Sequence, residues 1–254
     1  MDPLAEKYYN ISPYAYVANN PLRYIDPTGC SIEDTSGKVI AVFYHGGFAG
    51  DGKQTTSANA GGTGQIYNST QSAAVSMGKG FAGTIVAPGV TSASGVSTGA
   101  DFINQNYEVG DMVIIYGYSY GVDVAVDLAH NLNEKGIRID LLVTVDGSDG
   151  PFQNLTVNTA IPENVGTNLN VYQTSNSESS NSSWSTGSSS GVTSNSSGSS
   201  NSPGSKGGPN KAVNSNSTYV INKNISGSGV NHGNIQQKAE EIIQPLINGR
   251  ISNK

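Results

Sequence analysis

The sequence predicts an α/β fold, a mostly parallel and doubly wound sheet with helices on both faces, and three observations predict it. Near-continuous runs of β-branched and apolar residues recur, as in strands covered on both sides. Segments of helical length separate these runs, as in successive βαβ units. The length, 254 residues, fits one substantial core and one site.

The first strong strand is residues 38 to 44 (KVIAVFY), and 111 to 116 (DMVIIY) reads the same way. Residues 84 to 87 and 139 to 145 (IDLLVTV) complete the main strand set. Helices are predicted between them at about 66 to 78, 98 to 107 and 120 to 135, from apolar spacing. Gly61-Gly62-Thr63-Gly64 lacks a preceding strong strand and the Lys-Ser ending of a phosphate loop, so it reads as a flexible loop ahead of the first helix. Short strands are expected at 170 to 174 and 218 to 222. The last helix begins at Asn234, read as its N-cap with Gln237 reaching back in a capping box. Ile235, Ala239, Ile242, Ile243 and Leu246 then recur at helical spacing and predict one buried stripe, with Pro245 kinking the final turn.

Two stretches depart from this pattern. Residues 1 to 29 interleave tyrosines at 8, 9, 14, 16 and 24 with prolines at 3, 13, 21 and 27, which predicts an extended segment. Between 175 and 217, Ser, Asn and Gly fill 32 of 43 positions. Such a stretch buries too little apolar surface to offset its ordering entropy and is expected to be a flexible insertion. A lid gated by Trp184 is the alternative reading; an amphipathic stripe suited to lipid is missing from it.

Composition excludes several functions. Charged residues make up 13% of the chain, the formal net charge is −6, and no Lys/Arg cluster occurs, which argues against nucleic acid as a partner. Cys30 is the only cysteine, so neither an intramolecular disulfide nor a cysteine-based zinc site is available. Asp and Glu lack the spacing of a calcium or other metal site, and no cofactor is implied. Residues 1 to 7 (MDPLAEK) do not read as a signal peptide, and no apolar run approaches the roughly 20 residues of a membrane span.

The chemistry concentrates at Gly117-Tyr118-Ser119-Tyr120-Gly121, directly after the 111 to 116 strand and before the 120 to 135 helix. A serine in such a turn is held strained and exposed, and a glycine two residues away on each side lets strand and helix approach. The Tyr120 amide then stands at the helix N-terminus, where it can stabilise an oxyanion. A serine nucleophile calls for a histidine base, and the sequence holds three. His130 falls with Asp123 and Asp127 on the polar side of its helix, opposite Val124, Ala125, Leu128 and Leu132, and is expected to be solvated. His45 opens His45-Gly46-Gly47-Phe48 after the first strand. His232 lies in the loop between the last short strand and the last helix and is the base by exclusion. Asp146 ends the 139 to 145 strand in Val145-Asp146-Gly147-Ser148-Asp149-Gly150-Pro151. It is the first choice of acid, with Asp149 the second, and either also fits a plain turn or cap.

These motifs resemble those of the α/β-hydrolase family, its lipases and esterases in particular. The resemblance implies the chain order Ser119, Asp146, His232 for a catalytic triad. It also implies that the His45-Gly46 pair belongs to an oxyanion loop in which the amide of Gly47 or Phe48 is the second donor beside Tyr120, His45 itself being structural; an ordinary glycine turn is the other reading. The 145 to 151 stretch is similar to the acid loop of several lipases, one strand earlier than the commonest position in the family.

Residues 1 to 29, from Met1-Asp2-Pro3-Leu4-Ala5-Glu6-Lys7-Tyr8-Tyr9 to Ile25-Asp26-Pro27-Thr28-Gly29, resemble the end of the RHS/YD-repeat core, after which a variable toxin domain follows. This resemblance implies that residues 30 to 254 are the cargo, an antibacterial effector delivered without a signal peptide into a target cell, such as its periplasm. The implied partners are an RHS shell and a type VI-like secretion apparatus, a cognate immunity protein, and a lipid or ester substrate, phospholipid included. From a different class, the chain would be a non-catalytic binding or structural tail of an RHS surface protein on a hydrolase scaffold.

Overall fold

The computed structural model describes residues 24–25, 33–34, 37–47, 50–148, 158–174 and 208–253. Its centre is a seven-stranded sheet of β3 (Val39–Tyr44), β4 (Gln54–Thr55), β5 (Phe81–Val86), β6 (Met112–Tyr118), β7 (Ile139–Val145), β9 (Val165–Tyr172) and β11 (Tyr219–Asn224), in the order β11-β9-β7-β6-β3-β5-β4. All neighbours run parallel except the β4–β5 pair. Helices α1 (Gly61–Ser76) and α4 (Ile235–Ser252) pack on one face, α2 (Ser92–Asn106) and α3 (Gly121–Glu134) on the other. This is the doubly wound α/β architecture expected from the sequence. Strand alternation explains it: Val39, Ala41 and Phe43 of β3 enter one core, Ile40, Val42 and Tyr44 the other.

Outside the main sheet, β1 (Tyr24–Ile25) pairs antiparallel with β2 (Glu33–Asp34), and β8 (Ala160–Ile161) pairs parallel with β10 (Lys211–Ala212). The rest of the segment resembling an RHS core lies outside the described residues, as do Trp184 and residues 175 to 207. Residues 208 to 217, expected to belong to the flexible insertion, instead carry β10 and the buried Asn210. They dock because the Asn210 amide donates to Thr144 Oγ1 at 3.0 Å and Asn168 Oδ1 at 2.9 Å.

Three helices differ from their sequence reading. Gly61-Gly62-Thr63-Gly64 is the first turn of α1, not a loop ahead of it. A Cβ on Gly64 would stand 2.0 Å from the Ser57 carbonyl oxygen, so glycine here serves a close approach, which composition cannot distinguish from flexibility. Helix α2 starts at Ser92, six residues before the predicted start. On α4, Asn234 makes no side-chain cap bond. Its Oδ1 accepts from the Asn231 amide at 2.9 Å, while Asn231 Oδ1 accepts from the Asn234 amide at 3.1 Å. That reciprocal pair replaces the expected box with Gln237. Helix α4 also runs through Pro245 to Ser252, so the proline is not in its final turn. Its fully buried stripe is Ile235, Ala239, Ile243, Ile247 and Ile251, with Ile242 and Leu246 at the margin. Each fully buried isoleucine is worth about 1.5 to 3 kcal/mol, which fastens α4 to the sheet and fixes the loop before it.

Candidate active site

Strands β3, β6 and β7 end side by side at the carboxyl edge of the sheet, next to the point where the winding reverses from β5 back to β6. Doubly wound sheets place their sites there. Strand β6 ends at Tyr118, and Ser119 follows at φ +56°, a left-handed backbone conformation that costs a non-glycine residue about 1 to 3 kcal/mol. The surroundings enforce it. The Ser119 amide donates to the Val145 carbonyl at 3.0 Å, and the Ser119 carbonyl accepts from Val122 at 3.0 Å and Ser148 at 3.2 Å. A Cβ at Gly117 would lie 2.4 Å from the Gly121 carbonyl oxygen, and one at Gly121 would lie 2.6 Å from that of Tyr44. Strand, turn and helix thus meet at a separation only glycine permits.

The structure brings Ser119, His232 and Asp146 together. Ser119 Oγ lies 2.8 Å from His232 Nε2, and His232 Nδ1 lies 2.8 Å from Asp146 Oδ2. Asp146 has no exposed surface and Ser119 is 4% exposed, while the His232 side chain is 30% exposed. The carboxylate beneath therefore fixes the Nδ1–H tautomer and leaves Nε2 to accept the serine proton. Asp146, at φ +45°, is held at the end of β7 by its amide, which donates to the Val171 carbonyl at 2.8 Å. Asp149 lies outside the described residues.

The loop after β3 borders the nucleophile: a Cβ on Gly46 would approach Ser119 Cβ to 3.0 Å. Gly47 follows at φ +89° with open space on the side a Cβ would occupy. Phe48 lies outside the described residues. His45 Nδ1–H donates to the Gly46 carbonyl at 2.5 Å. Burial lowers the His45 pKa, and that hydrogen bond opposes the effect. Tyr120, buried, is the residue before the first turn of α3, so its amide stands at that helix's N-terminus. His130, expected to be solvated, is half-buried, with Nε2 3.0 Å from the Ala160 carbonyl oxygen, because β8 crosses beside its helix.

Sequence reading missed three residues that hold the site. The Tyr118 hydroxyl donates to the His232 carbonyl, and its ring stacks on the imidazole at 5.3 Å between centroids. Burial, with the Asp146 charge adding to it, raises the Tyr118 pKa, so the hydroxyl stays a donor. Gln236 Nε2 donates to Thr63 Oγ1 at 2.7 Å and to the Tyr116 hydroxyl at 2.8 Å, pinning the start of α4 to β6. Gln173 contacts both oxygens of Asp146. The aromatic residue before Ser119 was a visible signal; neither glutamine carried one.

Among the described residues no three His, Cys, Asp or Glu side chains form a group that could hold a metal ion, and no helix is long and apolar enough to cross a membrane. Neither a protein-family model nor a curated protein matches the sequence. Solved structures with some similarity include ClbQ from the colibactin NRPS/PKS pathway, at 9% identity over 85% of this chain and 98% of that one, TM-score 0.42. The RedJ thioesterase of the prodiginine pathway in Streptomyces coelicolor gives 12% identity over 84% and 90%, TM-score 0.42. A dienelactone hydrolase from Anabaena variabilis gives 14% over 56% and 65%, TM-score 0.35, so this chain spans less than two thirds of that protein.

Proposed function

We propose that this chain is a serine hydrolase of the α/β-hydrolase type that cleaves carboxylic esters through an acyl-enzyme on Ser119. One observation carries the reading: an unbroken hydrogen-bonded line from Ser119 Oγ through His232 to a fully buried Asp146, both links 2.8 Å. As Ser119 Oγ attacks the ester carbonyl carbon, His232 Nε2 takes its proton and Asp146 stabilises the imidazolium. The tetrahedral intermediate expels the alcohol, which receives that proton from His232. Water, deprotonated by His232 in turn, then releases the acid. The Tyr120 amide and that of Gly47 or Phe48 are the oxyanion donors, each worth about 3 to 4 kcal/mol when well placed.

Within that class, the lipase-like His45-Gly46 and Asp146 loops favour a lipase or phospholipase. The wording of residues 1 to 29 favours an antibacterial effector at the end of an RHS shell, exported by a type VI-like apparatus and neutralised in its producer by an immunity protein. A fluorophosphonate probe is expected to label Ser119 in the folded wild type. In a panel of p-nitrophenyl esters and phospholipid vesicles, Ser119→Ala should lower kcat by on the order of 10⁴-fold or more with an unchanged melting temperature. Retained turnover in Ser119→Ala, or a folded wild type that resists labelling, would overturn the reading and favour a non-catalytic tail. Phospholipid hydrolysis, and killing of susceptible cells that depends on Ser119, test the finer assignment.

A further inference from the structure

We propose that Gln173 is a positioning residue of this site: it orients the Asp146 carboxylate toward His232. Its catalytic consequence rests on the triad reading; its structural content does not.

A carboxylate buried as completely as that of Asp146 calls for several donors facing it. His232 Nδ1–H is one, at 2.8 Å from Oδ2. Gln173 supplies two more: its backbone amide reaches Oδ1 at 3.4 Å, and its side-chain Nε2 reaches Oδ2 at 3.3 Å. Gln173 is itself 1% exposed, so its amide was desolvated to make this contact. Because Nε2 of Gln173 and Nδ1 of His232 converge on the same oxygen, rotation of the carboxylate is fixed with Oδ2 toward the imidazole. The adjacency is built into the sheet. Strands β7 and β9 are parallel neighbours with Val145 opposite Val171, and the Asp146 amide bonds the Val171 carbonyl two residues before Gln173. Both long contacts are weaker than the 2.8 Å bond to histidine, which suits an orienting role and a modest rate effect.

The test compares the wild-type chain with Gln173→Met and Asp146→Asn. The first readout needs no turnover: the imidazole ¹⁵N shifts of His232 report which nitrogen carries the proton. The wild type is expected in the Nδ1–H form, Gln173→Met as a mixture, and Asp146→Asn shifted toward Nε2–H. The second readout is p-nitrophenyl ester hydrolysis. Gln173→Met should lower kcat roughly tenfold, about the worth of one net hydrogen bond, with KM unchanged. An unchanged tautomer in folded Gln173→Met, or an unchanged kcat, overturns the proposal. If the shifts behave as expected while no ester is cleaved, the ester-hydrolase reading fails and the role of Gln173 stands.

Discussion

Ser119 is strained and Gly121 is crowded, and the two facts are one constraint. The left-handed turn at Ser119 swings the chain straight into α3, and the first residue of that helix lands against the end of β3. A methyl group at Gly121 would lie 2.6 Å from the Tyr44 carbonyl oxygen and 2.8 Å from that of His45, so either α3 or the 45–47 loop must move. Gly121→Ala is therefore expected to cost about 1 to 3 kcal/mol in urea unfolding. It should also lower kcat more than it raises KM, because the displaced loop carries the proposed second oxyanion donor. An unchanged denaturation midpoint would mean that strand and helix are not in such contact. At this scale the meeting of Ser119 with His232 was legible, because Ser119 sits in a motif whose strand and helix could both be read and only two other histidines competed with His232. Gln173 was not: a neutral amide after a strand follows no pattern, and its importance exists only once β9 is known to lie beside β7.

The elements that hold His232 are β6 and α4. Strand β6 does more than end in Ser119: two tyrosines on one of its faces, Tyr116 and Tyr118, bind α4 and the loop before it. Ser119 and His232 are thereby registered from one strand. Gln236 is the key to the deeper of these contacts, since its Nε2 serves both Thr63 on α1 and Tyr116 on β6. Gln236→Leu leaves those two buried hydroxyls without that donor and should cost about 1 to 3 kcal/mol, read as an earlier urea midpoint. Full stability in Gln236→Leu would show that the apolar stripe of α4 holds the helix alone. The stripe was legible from spacing, but the start of α4 was not. Asn231 and Asn234 compete for the same amides as a capping box, and composition does not say which pairing wins. The beginning of α1 was hidden for a related reason: glycine lowers helix propensity, yet tertiary contact at Gly64 requires it.

On the scale of the whole molecule, one sheet face is built against expectation. Toward the carboxyl ends of β7 and β9, Thr144, Asn168 and Asn170 replace the apolar residues that cover the rest of the sheet. Asparagine is disfavoured in strands, which is why only the last part of β9 was read as one. These side chains are tolerated because they bond to one another and to the segment 208–212: Thr144 Oγ1 donates to Asn170 Oδ1 at 3.1 Å, and the Asn170 amide donates to the Gly208 carbonyl at 2.7 Å and Asn222 Oδ1 at 2.8 Å. Asn210 closes the network from the strap side, its amide shared between Thr144 and Asn168. A network of this kind stands or falls together. Asn210→Ala should destabilise the fold by about 1 to 3 kcal/mol, the cost of buried groups left without partners. Adding Asn168→Ala should cost much less than it does alone, a coupling of about 0.5 kcal/mol or more in a double-mutant cycle. Hydrolysis by the fraction still folded should be unaffected, because the network lies beside the triad and shares no hydrogen bond with it among those described. Strict additivity of the two substitutions would mean that Asn210 and Asn168 act independently, and the strap would then be held by β8 and β10 rather than by the buried amides.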